Sequence, residues 1–455
     1  MTKNKNYRSG EIKSMNAREA AFKILCDVEI NKNYSNMAIN RIFRENDIKT
    51  REKGLATEIV YGVIENKKYL DYIINKLSKI KTKNMSSFVR IILRMGTYQI
   101  LFLDNIQDYA AVNETVKLAV KYDRKSSGFV NAILKNEIRQ RNTIKEIDIK
   151  DPARRLAVKY SYQQWIIEEW IQKFGEEFTE ELLESGNERP EMYLRVNTLK
   201  TDRDTLIKEF KKDGINAYPV AMMDEAIRVE GLKGIDKNRL YLSGMFTVQD
   251  VSSMLVGKIA SPKENSKVLD MCSAPGGKTT HMATIMNNTG KVVARDVFDH
   301  KIKLIKSTAH RLGLKNIDVE KFDATEFDKE SVEKFDYVLT DVPCSGFGII
   351  RRKPEIKYKS REEVSELPVI QKKILENASK YVKPGGTLIY STCTVQDSEN
   401  IEIVEEFIKE HEEFSMVPIT EVNVDLEEQE KGYLKIYPNI HGIDGFFIAK
   451  MKKMR

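Results

Sequence analysis

Two of the four cysteines in this 455-residue chain occur in motifs that could support nucleophilic chemistry. Cys344 lies in the segment 341–346 (Asp-Val-Pro-Cys-Ser-Gly), and Cys393 lies in the segment 390–394 (Tyr-Ser-Thr-Cys-Thr). Each motif follows an apolar run that predicts a β-strand, so we expect both thiols in loops over one cleft at the edge of a sheet. A thiol with an ordinary pKa of ~8.5 is only a few per cent thiolate at neutral pH, so the site must activate one of them.

A reactive thiol of this kind suits chemistry at a weak carbon nucleophile such as C5 of cytosine. Addition of a thiolate at C6 makes C5 enamine-like, so that C5 can attack the methyl group of a sulfonium. Loss of the C5 proton and β-elimination then release the product. A carboxylic acid at the N3 edge would hold the N3-protonated ring through a charge-assisted contact. Asp341, three residues before Cys344, is the predicted source of that group.

A glycine-rich turn precedes these motifs and predicts a ligand-binding junction. The apolar pair Val268–Leu269 ends at Asp270, and the turn 274–277 (Ala-Pro-Gly-Gly) leads into helical spacing. Such a junction presents backbone N–H groups and a helix N-terminus at the carboxyl end of a strand. A P-loop would need glycine at the position of Cys272, and the turn contains no Gly-x-Gly-x-x-Gly fingerprint. A sulfonium cofactor, which would supply the electrophilic methyl group, is therefore the economical prediction.

Strands and helices alternate from residue 265 onward, which predicts an α/β fold with a doubly wound, mostly parallel sheet. The predicted strands are Val268–Asp270, Val292–Asp296, Ile317–Lys321, Tyr337–Asp341 and Thr387–Ser391. Carboxylates recur at or just after the strand ends, as Asp296, Asp323 and Asp341. Asp296 follows Asp270 by 26 residues, close to the spacing at which an acid meets a ribose hydroxyl. Ligands should lie beyond this edge of the sheet.

The part of the chain before the predicted sheet has a different pattern, in which helical spacing predominates. Residues 16–141 have apolar side chains at helical spacing and predict an all-helical bundle, with Asn16 as a helix cap. Residues 1–150 hold 29 Lys and Arg against 17 Asp and Glu, a surplus of 12, so with a net charge of +7 the remainder carries −5. This asymmetry favours a surface that faces phosphate groups. Charged helices follow over 142–185, and short strands around a helix at 202–213 then predict a small α+β unit.

Composition limits the class of protein. With 41% hydrophobic and 31% charged residues, the chain is typical of soluble globular proteins. Its first residues, Met1–Gly10, lack the apolar core of a secretory signal, and no segment is apolar for long enough to span a bilayer. The cysteines are far apart and show no ligand spacing, so we expect reduced thiols, a cytoplasmic location and no metal. Cys26 and Cys272 are expected to be small buried side chains.

Taken in order, these motifs resemble those of the RNA cytosine-C5 methyltransferases. The resemblance rests on the Ala-Pro-Gly-Gly-Lys loop, the Asp-x-Pro-Cys-Ser-Gly motif and the Ser-Thr-Cys-Thr motif. Further motifs resemble the NusB-like RNA-binding domain, the extension similar to an RNA-recognition fold (RRM-like) and the C-terminus of the RsmB (Sun/Fmu) family of 16S rRNA methyltransferases. They occupy residues 51–52, 61–63, 93–96, 111–114, 128–134, 195–198, 249–253, 438 and 441–447. The resemblance thus covers almost the whole chain.

The resemblance implies three domains. Residues 1–145 would form an all-α NusB-like RNA-binding domain, and residues 146–260 would form linker helices and the small α+β RRM-like extension. Residues 261–455 would form a class I, Rossmann-like methyltransferase domain that uses S-adenosyl-L-methionine.

The resemblance also implies site residues. The cofactor would be bound by Cys272, Ser273, Ala274, Pro275, Gly276, Gly277, Lys278, Asp296, Asp323 and Asp341. Cys393 matches the family's nucleophile, which forms the adduct at C6, and Cys344 matches the cysteine that assists product release. In the DNA enzymes the Pro-Cys thiol is instead the nucleophile, so position alone leaves the two roles open. Lys278 would bind the cofactor's carboxylate or support the catalytic edge. Val342 replaces the family's usual alanine, a mild departure.

The expected partner is RNA, either 16S rRNA or the assembling small subunit, and the expected state is a monomer without a metal or a membrane. One alternative is a non-catalytic RNA-binding or ribosome-assembly protein, which would leave both thiol motifs unexplained. Another is a cytosine-C5 methyltransferase with a different RNA target. A small-molecule methyltransferase would not explain the nearly 260 preceding residues. No residue predicts which cytosine is read, although C6 is reached only in an unstacked base.

Overall fold

The computed structural model describes residues 15–422 and 428–454, so Met1–Gly10, for which the sequence predicts no secretory signal, lies outside the described residues. The chain forms two compact units. The helical unit comprises the chain up to Leu183 together with Lys353–Tyr358, and the sheet unit comprises Glu184–Arg352 and the chain from Lys359 onward. In the part of the chain that the structure describes, no helix combines the length and the apolar character needed to cross a membrane.

The described front of the helical unit is all-α, which confirms the predicted bundle. Its helices are α1 (Ala17–Asn31), α2 (Ser35–Glu45), α3 (Thr50–Glu65), α4 (Lys67–Leu77), α5 (Ser87–Phe102), α6 (Asp108–Tyr122), α7 (Ser127–Arg139), α8 (Arg141–Ile144), α9 (Pro152–Lys159), α10 (Gln164–Phe174) and α11 (Glu176–Ser185). As predicted, the Asn16 side chain caps α1 by accepting the Glu19 N–H at 2.9 Å. Helix α5 lies in the core, and its buried Arg94 binds Asp71 at 2.7 Å because a guanidinium without partners is costly inside a protein.

The segment Lys353–Tyr358, which follows the Pro-Cys motif by only a few residues, packs in the helical unit. The Tyr358 hydroxyl donates to the Ile64 carbonyl at 2.5 Å, and the fully buried Lys357 donates to the Glu65 carbonyl at 3.2 Å. Burial lowers the pKa of Lys357 to about 7. The sequence did not indicate that this short piece of chain belongs with helices almost 300 residues earlier.

The sheet unit begins with a four-stranded antiparallel sheet in the order β2-β3-β1-β4. Its elements are β1 (Met192–Val196), α12 (Arg203–Lys212), β2 (Asn216–Val220), β3 (Met223–Glu230), α13 (Arg239–Leu242) and β4 (Phe246–Val248), followed by α14 (Val251–Ala260). The succession β-α-β-β-α-β is that of a ferredoxin-like fold, to which the RNA-recognition fold also belongs. The predicted small α+β extension is therefore confirmed.

A second, larger sheet follows, in the order β10-β12-β9-β8-β5-β6-β7, with β11 paired to β12. Its elements are β5 (Lys267–Asp270), α15 (Gly277–Ile285), β6 (Lys291–Asp296), α16 (Asp299–Leu312), β7 (Ile317–Lys321), β8 (Phe335–Asp341), α17 (Arg361–Ser365), α18 (Leu367–Tyr381), β9 (Val382–Thr392), α19 (Ile401–Glu410), β10 (Phe414–Met416), β11 (Tyr433–Ile436), α20 (Pro438–His441) and β12 (Phe446–Lys453). The five predicted strands are present and parallel, as a Rossmann-like fold requires. The antiparallel strands β10 to β12 were not predicted.

The chain order reverses at β5, which has β6 on one side and β8 on the other. Such a switch point opens a crevice beyond the carboxyl ends of the strands. Val268 and Leu269 of β5 are fully buried because helices cover both faces of a parallel sheet, so an uninterrupted apolar run is required there. The glycine-rich turn, the strand-end carboxylates and both thiol motifs consequently follow strands that end at the same edge.

The turn that leads into β6 gives a test of this packing. Gly290 has a φ of +62°, and a Cβ there would lie 2.3 Å from the Ser266 carbonyl oxygen, which already accepts the Lys291 N–H. Gly385 also has a positive φ, +75°, but open space beside it. Gly385→Ala should lower the free energy of unfolding by about 1–2 kcal/mol from backbone strain alone. Gly290→Ala should lower the free energy of unfolding by at least about 2 kcal/mol more than Gly385→Ala does, because the backbone at Ser266 must move to make room for the Cβ. Urea denaturation of both variants measures the difference, and equal losses would contradict it.

Candidate active site

The turn after β5 is held in place by the neighbouring strand β6. The Ser273 backbone N–H and hydroxyl both donate to the Arg295 carbonyl, at 2.9 and 2.8 Å. Gly276 has a φ of +100°, and a Cβ there would lie 3.3 Å from Ile305 Cα in α16. Helix α15 then begins at Gly277, so its first N–H groups lie at the edge of the sheet where the sequence predicts the cofactor.

Desolvation disfavours the charged forms of two side chains at this turn. Asp270 is fully buried and accepts the Thr279 hydroxyl at 2.6 Å, and burial raises the pKa of its carboxyl group to about 7. Burial likewise raises the pKa of the Cys272 thiol well above its usual value. In the helical unit, burial raises the pKa of Cys26 to about 12. The prediction that both cysteines are buried is wrong by surface area, since each is partly exposed. Their raised pKa values nevertheless favour the protonated thiol, so neither is a candidate nucleophile.

The strand-end carboxylates differ in their contacts. Asp296, at the end of β6, accepts the Ala274 N–H at 3.4 Å and the Phe298 N–H at 3.1 Å, so it lies against the glycine-rich turn. Asp323 is exposed and accepts the Thr325 N–H and hydroxyl, at 2.9 and 2.8 Å, within its own loop. The structure therefore brings Asp296 to the turn, whereas the described contacts of Asp323 are local.

Asp341 connects the glycine-rich turn to the thiol motifs. One carboxylate oxygen pairs with Lys278 Nζ at 2.7 Å, and the other accepts the Ser391 hydroxyl at 2.9 Å. The Lys278 ammonium also lies 5.0 Å from the centre of the Phe446 ring, within cation–π range. Lys278, for which the sequence left two roles open, thus contacts the carboxylate of the thiol edge. Phe446 was not predicted as a site residue, although the motif at 441–447 that contains it was recognised.

The two loop thiols are neighbours. Cys344 Sγ lies 3.2 Å from Cys393 Sγ, and the Gly348 N–H donates to the Cys393 carbonyl at 3.0 Å. The hydrogen bond with Cys393, followed by burial and by the charges of Cys393 and Glu399, raises the pKa of Cys344 well above its usual value. Because β8 and β9 are adjacent and parallel, the loops that follow them converge, as expected from the sequence.

The loop after Cys344 is fixed by an ionic cluster. Arg351 and Arg352 both bind the buried carboxylate of Asp444, and Arg352 also binds Asp250 at 2.7 Å. Gly348 packs so closely on the C-terminal strand connection that a Cβ there would lie 2.0 Å from the Gly445 carbonyl oxygen. None of these arginines was predicted, since an ion pair between residues so distant in sequence leaves no local pattern.

The ferredoxin-like part also reaches the glycine-rich turn. Arg195 is buried, and its guanidinium donates to the Gly277 carbonyl at 2.6 Å, to the Thr280 hydroxyl at 3.0 Å and to the Gln249 side chain. Burial lowers the pKa of Arg195 to about 9. Neither Arg195 nor Gln249 was predicted as a site residue, but their contacts make them supports of the first turn of α15.

The residues at this edge fit a zwitterionic, ribose-bearing ligand. Gly276 and Gly277 bring backbone close to the crevice without side chains, and Asp296 lies against the turn with a carboxylate that could accept ribose hydroxyls. Lys278 offers an ammonium near the same turn. These groups match the chemistry of S-adenosylmethionine.

Asp270 makes stability depend on pH in a defined direction. Its pKa of about 7 in the folded protein lies above the ordinary value of about 4, so the unfolded chain loses the proton first as pH rises. The contribution of this group to stability is therefore present below about pH 4 and is lost as pH rises through about 7. Asp270→Asn cannot ionise, so its melting temperature relative to wild type should rise by several degrees over that window. Calorimetry at closely spaced pH values measures this, and a difference independent of pH would show that folding does not raise the pKa of Asp270.

Three family models match successive parts of the chain. Residues 15–139 match the NusB family, residues 162–236 match the ferredoxin-like domain of RsmF/B-like methyltransferases, and residues 258–452 match the 16S rRNA methyltransferase RsmB/F. Their order is that of the helical front, the small antiparallel sheet and the large mixed sheet.

Relatives match over nearly the full length. The chain is 39% identical to a probable ribosomal RNA small subunit methyltransferase B of Bacillus subtilis, over 97% of this chain and 100% of the relative. It is 32% identical to ribosomal RNA small subunit methyltransferase B of Photorhabdus laumondii, over 90% and 92%. The crystal structure of PH0851 superposes with a TM-score of 0.81 at 26% identity, over 97% of this chain and 100% of that one. The chain therefore belongs to the RsmB/F family of 16S rRNA methyltransferases, which depend on S-adenosylmethionine.

Proposed function

We propose that this protein transfers the methyl group of S-adenosylmethionine to C5 of a cytosine in 16S rRNA through a covalent adduct between Cys393 and C6. The observation that carries the proposal is the pair of loop thiols, 3.2 Å apart, on the loops that follow Asp341 and its hydrogen-bond partner Ser391. The names of the relatives, which are small subunit rRNA methyltransferases B, support the choice of RNA. The target would be a cytosine of the 967 class, which the resemblance to the RsmB family implies and no single residue of this chain predicts.

The cofactor supplies an electrophilic methyl group on a sulfonium. The turn from Cys272 to Lys278, with Asp296, Asp323 and Asp341, would hold it at the carboxyl edge of the sheet. Ser273 and Arg195 would keep the turn rigid from below through their bonds to the Arg295 and Gly277 carbonyls. A rigid turn matters because methyl transfer requires the donor and acceptor carbons to be aligned before reaction.

The two thiols would differ in protonation state and therefore in role. Cys344 stays a neutral thiol because its pKa is raised, so it can donate its S–H toward the Cys393 sulfur 3.2 Å away. A donated hydrogen bond stabilises a thiolate, which favours Cys393 as the group that adds to C6. After methyl transfer, water accepts the C5 proton, the C5–C6 double bond re-forms and the C6–Sγ bond breaks; the Cys344 thiol assists release by donating its S–H to the departing Cys393 thiolate. This assignment follows the family's pattern rather than that of the DNA enzymes.

Asp341 would bind the cytosine ring. Its carboxylate, oriented by Lys278 at 2.7 Å and Ser391 at 2.9 Å, lies on the strand between the turn and the thiols. A contact to N3 would stabilise the protonated ring while the adduct forms. The cytosine must leave its stack to reach this edge, since C6 is inaccessible in a helix. The basic surplus of 12 in residues 1–150 supports contact of that part with RNA.

Replacing the nucleophile is the direct test. Cys393→Ala should reduce methyl incorporation into 16S rRNA by at least about a thousandfold, because C5 is not activated without the adduct. Calorimetric binding of S-adenosylmethionine should be retained, which serves as the control for folding. Mass spectrometry of nuclease fragments should locate the wild-type product as 5-methylcytosine. A fully active Cys393→Ala variant would refute the adduct, and RNA binding by the wild type without methylation would favour an assembly role instead.

Removing the second thiol should separate adduct formation from release. Cys344→Ala should accumulate a protein–RNA adduct that survives a denaturing gel, because addition at C6 proceeds while elimination is slow. Formation of this species should require both cofactor and Cys393, so the Cys344→Ala/Cys393→Ala double variant should show none. Normal turnover without an accumulated adduct would remove Cys344 from the release step.

A further inference from the structure

A fully buried carboxylate lies beside the thiol pair and has no role in the chemistry described so far. Glu399 ends the short 3₁₀ turn Asp397–Glu399, six residues after Cys393, and its side chain is 0% exposed. One of its oxygens accepts the Ser345 backbone N–H at 2.8 Å and Gln371 Nε2 at 2.9 Å. The other oxygen has no hydrogen-bond partner among the described residues.

These contacts place the carboxylate next to Cys344. Ser345 is the residue after Cys344, and Gln371 also donates to the carbonyl of Pro343, the residue before it, at 2.9 Å. Glu399 thus holds one flank of the Cys344 loop directly and the other through Gln371. A second bridge between the two thiol loops is the Ser345–Thr394 hydroxyl pair, at 2.6 Å, which is also buried.

The hydrogen bonds to Glu399 come from neutral groups, an amide side chain and a backbone N–H. Burying a carboxylate carries a desolvation cost, which hydrogen bonds from neutral groups offset only in part. What distinguishes the position is that the carboxylate binds the backbone of Ser345, in the loop of one thiol motif, while Glu399 itself belongs to the segment that follows the other motif.

We propose that Glu399 is a positioning residue that holds the Cys344 loop against the Cys393 loop and, through its negative charge, keeps Cys344 as a neutral thiol so that the thiolate forms on Cys393. The inference rests on the proposed function and extends it to the choice of nucleophile. The two motifs follow adjacent parallel strands and meet at the same edge, so main-chain geometry alone does not assign their roles. A fixed charge on one side breaks that equivalence, because like charge disfavours ionisation.

Some groups around Cys344 disfavour its thiolate and others favour it. Cys393 and Glu399 disfavour its thiolate, and the pKa of Cys344 is raised first by the hydrogen bond with Cys393, then by burial, then by these charges. Tyr390 donates to the Glu399 carbonyl at 2.6 Å and is itself kept neutral, since burial raises its pKa. Lys359 is a cation held on the same loop, since its ammonium donates to the Ser345 carbonyl at 2.8 Å, and a positive charge near a thiol favours the thiolate.

The experiment measures ionisation of Cys344 directly in the full-length chain. In a Cys393→Ala background, which removes the thiol with the largest effect, alkylation of Cys344 by iodoacetamide is followed against pH by peptide mass spectrometry. Glu399→Gln should move the midpoint of this profile to lower pH and raise the rate below the midpoint by at least about threefold. Glu399→Asp keeps the charge and should leave the midpoint close to that of the background protein.

Each outcome is decisive. An unchanged midpoint in Glu399→Gln overturns the proposal, and so does an equal shift in Glu399→Asp and Glu399→Gln, which would show that only packing matters. Should Glu399→Gln fail to fold, Lys359→Met tests the same electrostatic effect with the opposite sign. Loss of this cation should move the midpoint of the Cys344 alkylation profile to higher pH. No shift in that variant would also overturn the electrostatic role.

A matched control is Glu137→Gln, which alters another fully buried glutamate, one that accepts the Thr97 hydroxyl at 2.8 Å in the helical unit. It should leave the Cys344 profile unchanged. Because the readout needs neither RNA nor cofactor, failure of this proposal is separate from failure of the proposed methyl transfer, which the activity of Cys393→Ala decides.

Discussion

Parallel pairing of β8 with β5 on one side and β9 on the other is the constraint on which the site depends. The register aligns Asp341 with Ser391, and Asp270 with Leu339, so the glycine-rich turn and both thiol loops start from adjacent strand ends. Three residues beyond Asp341 and two beyond Ser391, the chain reaches the two cysteines. Their contact at 3.2 Å therefore follows from strand order and register, since a slip by one residue would turn the side chains to the opposite face.

Around this edge of the sheet, buried polar groups fix the positions of loops more specifically than apolar packing does. Arg195 binds the first turn of α15, and Asp444 binds two arginines of the segment that follows Cys344. Glu399 connects the Cys344 loop to the segment that follows Cys393. Such groups carry a desolvation cost and contribute little net stability. They do impose fixed distances and directions, which a reaction with an aligned methyl group and two thiols of unequal acidity requires. The ferredoxin-like sheet is thus structurally part of the site through Arg195.

Much of the architecture could be predicted because its signals are local. The five parallel strands were recognised within a few residues of their bounds, since buried parallel strands are short apolar runs separated by helical spacing. Asn16 was recognised as a cap because capping involves residues three apart. Strands β10 to β12 were missed because their pairing with β9 depends on partners far along the chain. The place of Lys353–Tyr358 in the helical unit was missed for the same reason.

The residue types and their order could be predicted from the sequence: a glycine-rich turn after a strand, carboxylates at strand ends, and two cysteines in loops after strands. Those features depend only on neighbouring residues, and with the resemblance they indicated a methyltransferase that acts on RNA. Which of these groups are in contact depends on the folded chain. It paired Lys278 with Asp341, left Asp323 with contacts in its own loop, and brought Arg195, Asp444 and Glu399 to the site. Contacts between residues tens to hundreds of positions apart arise from sheet order and burial, which no local spacing encodes.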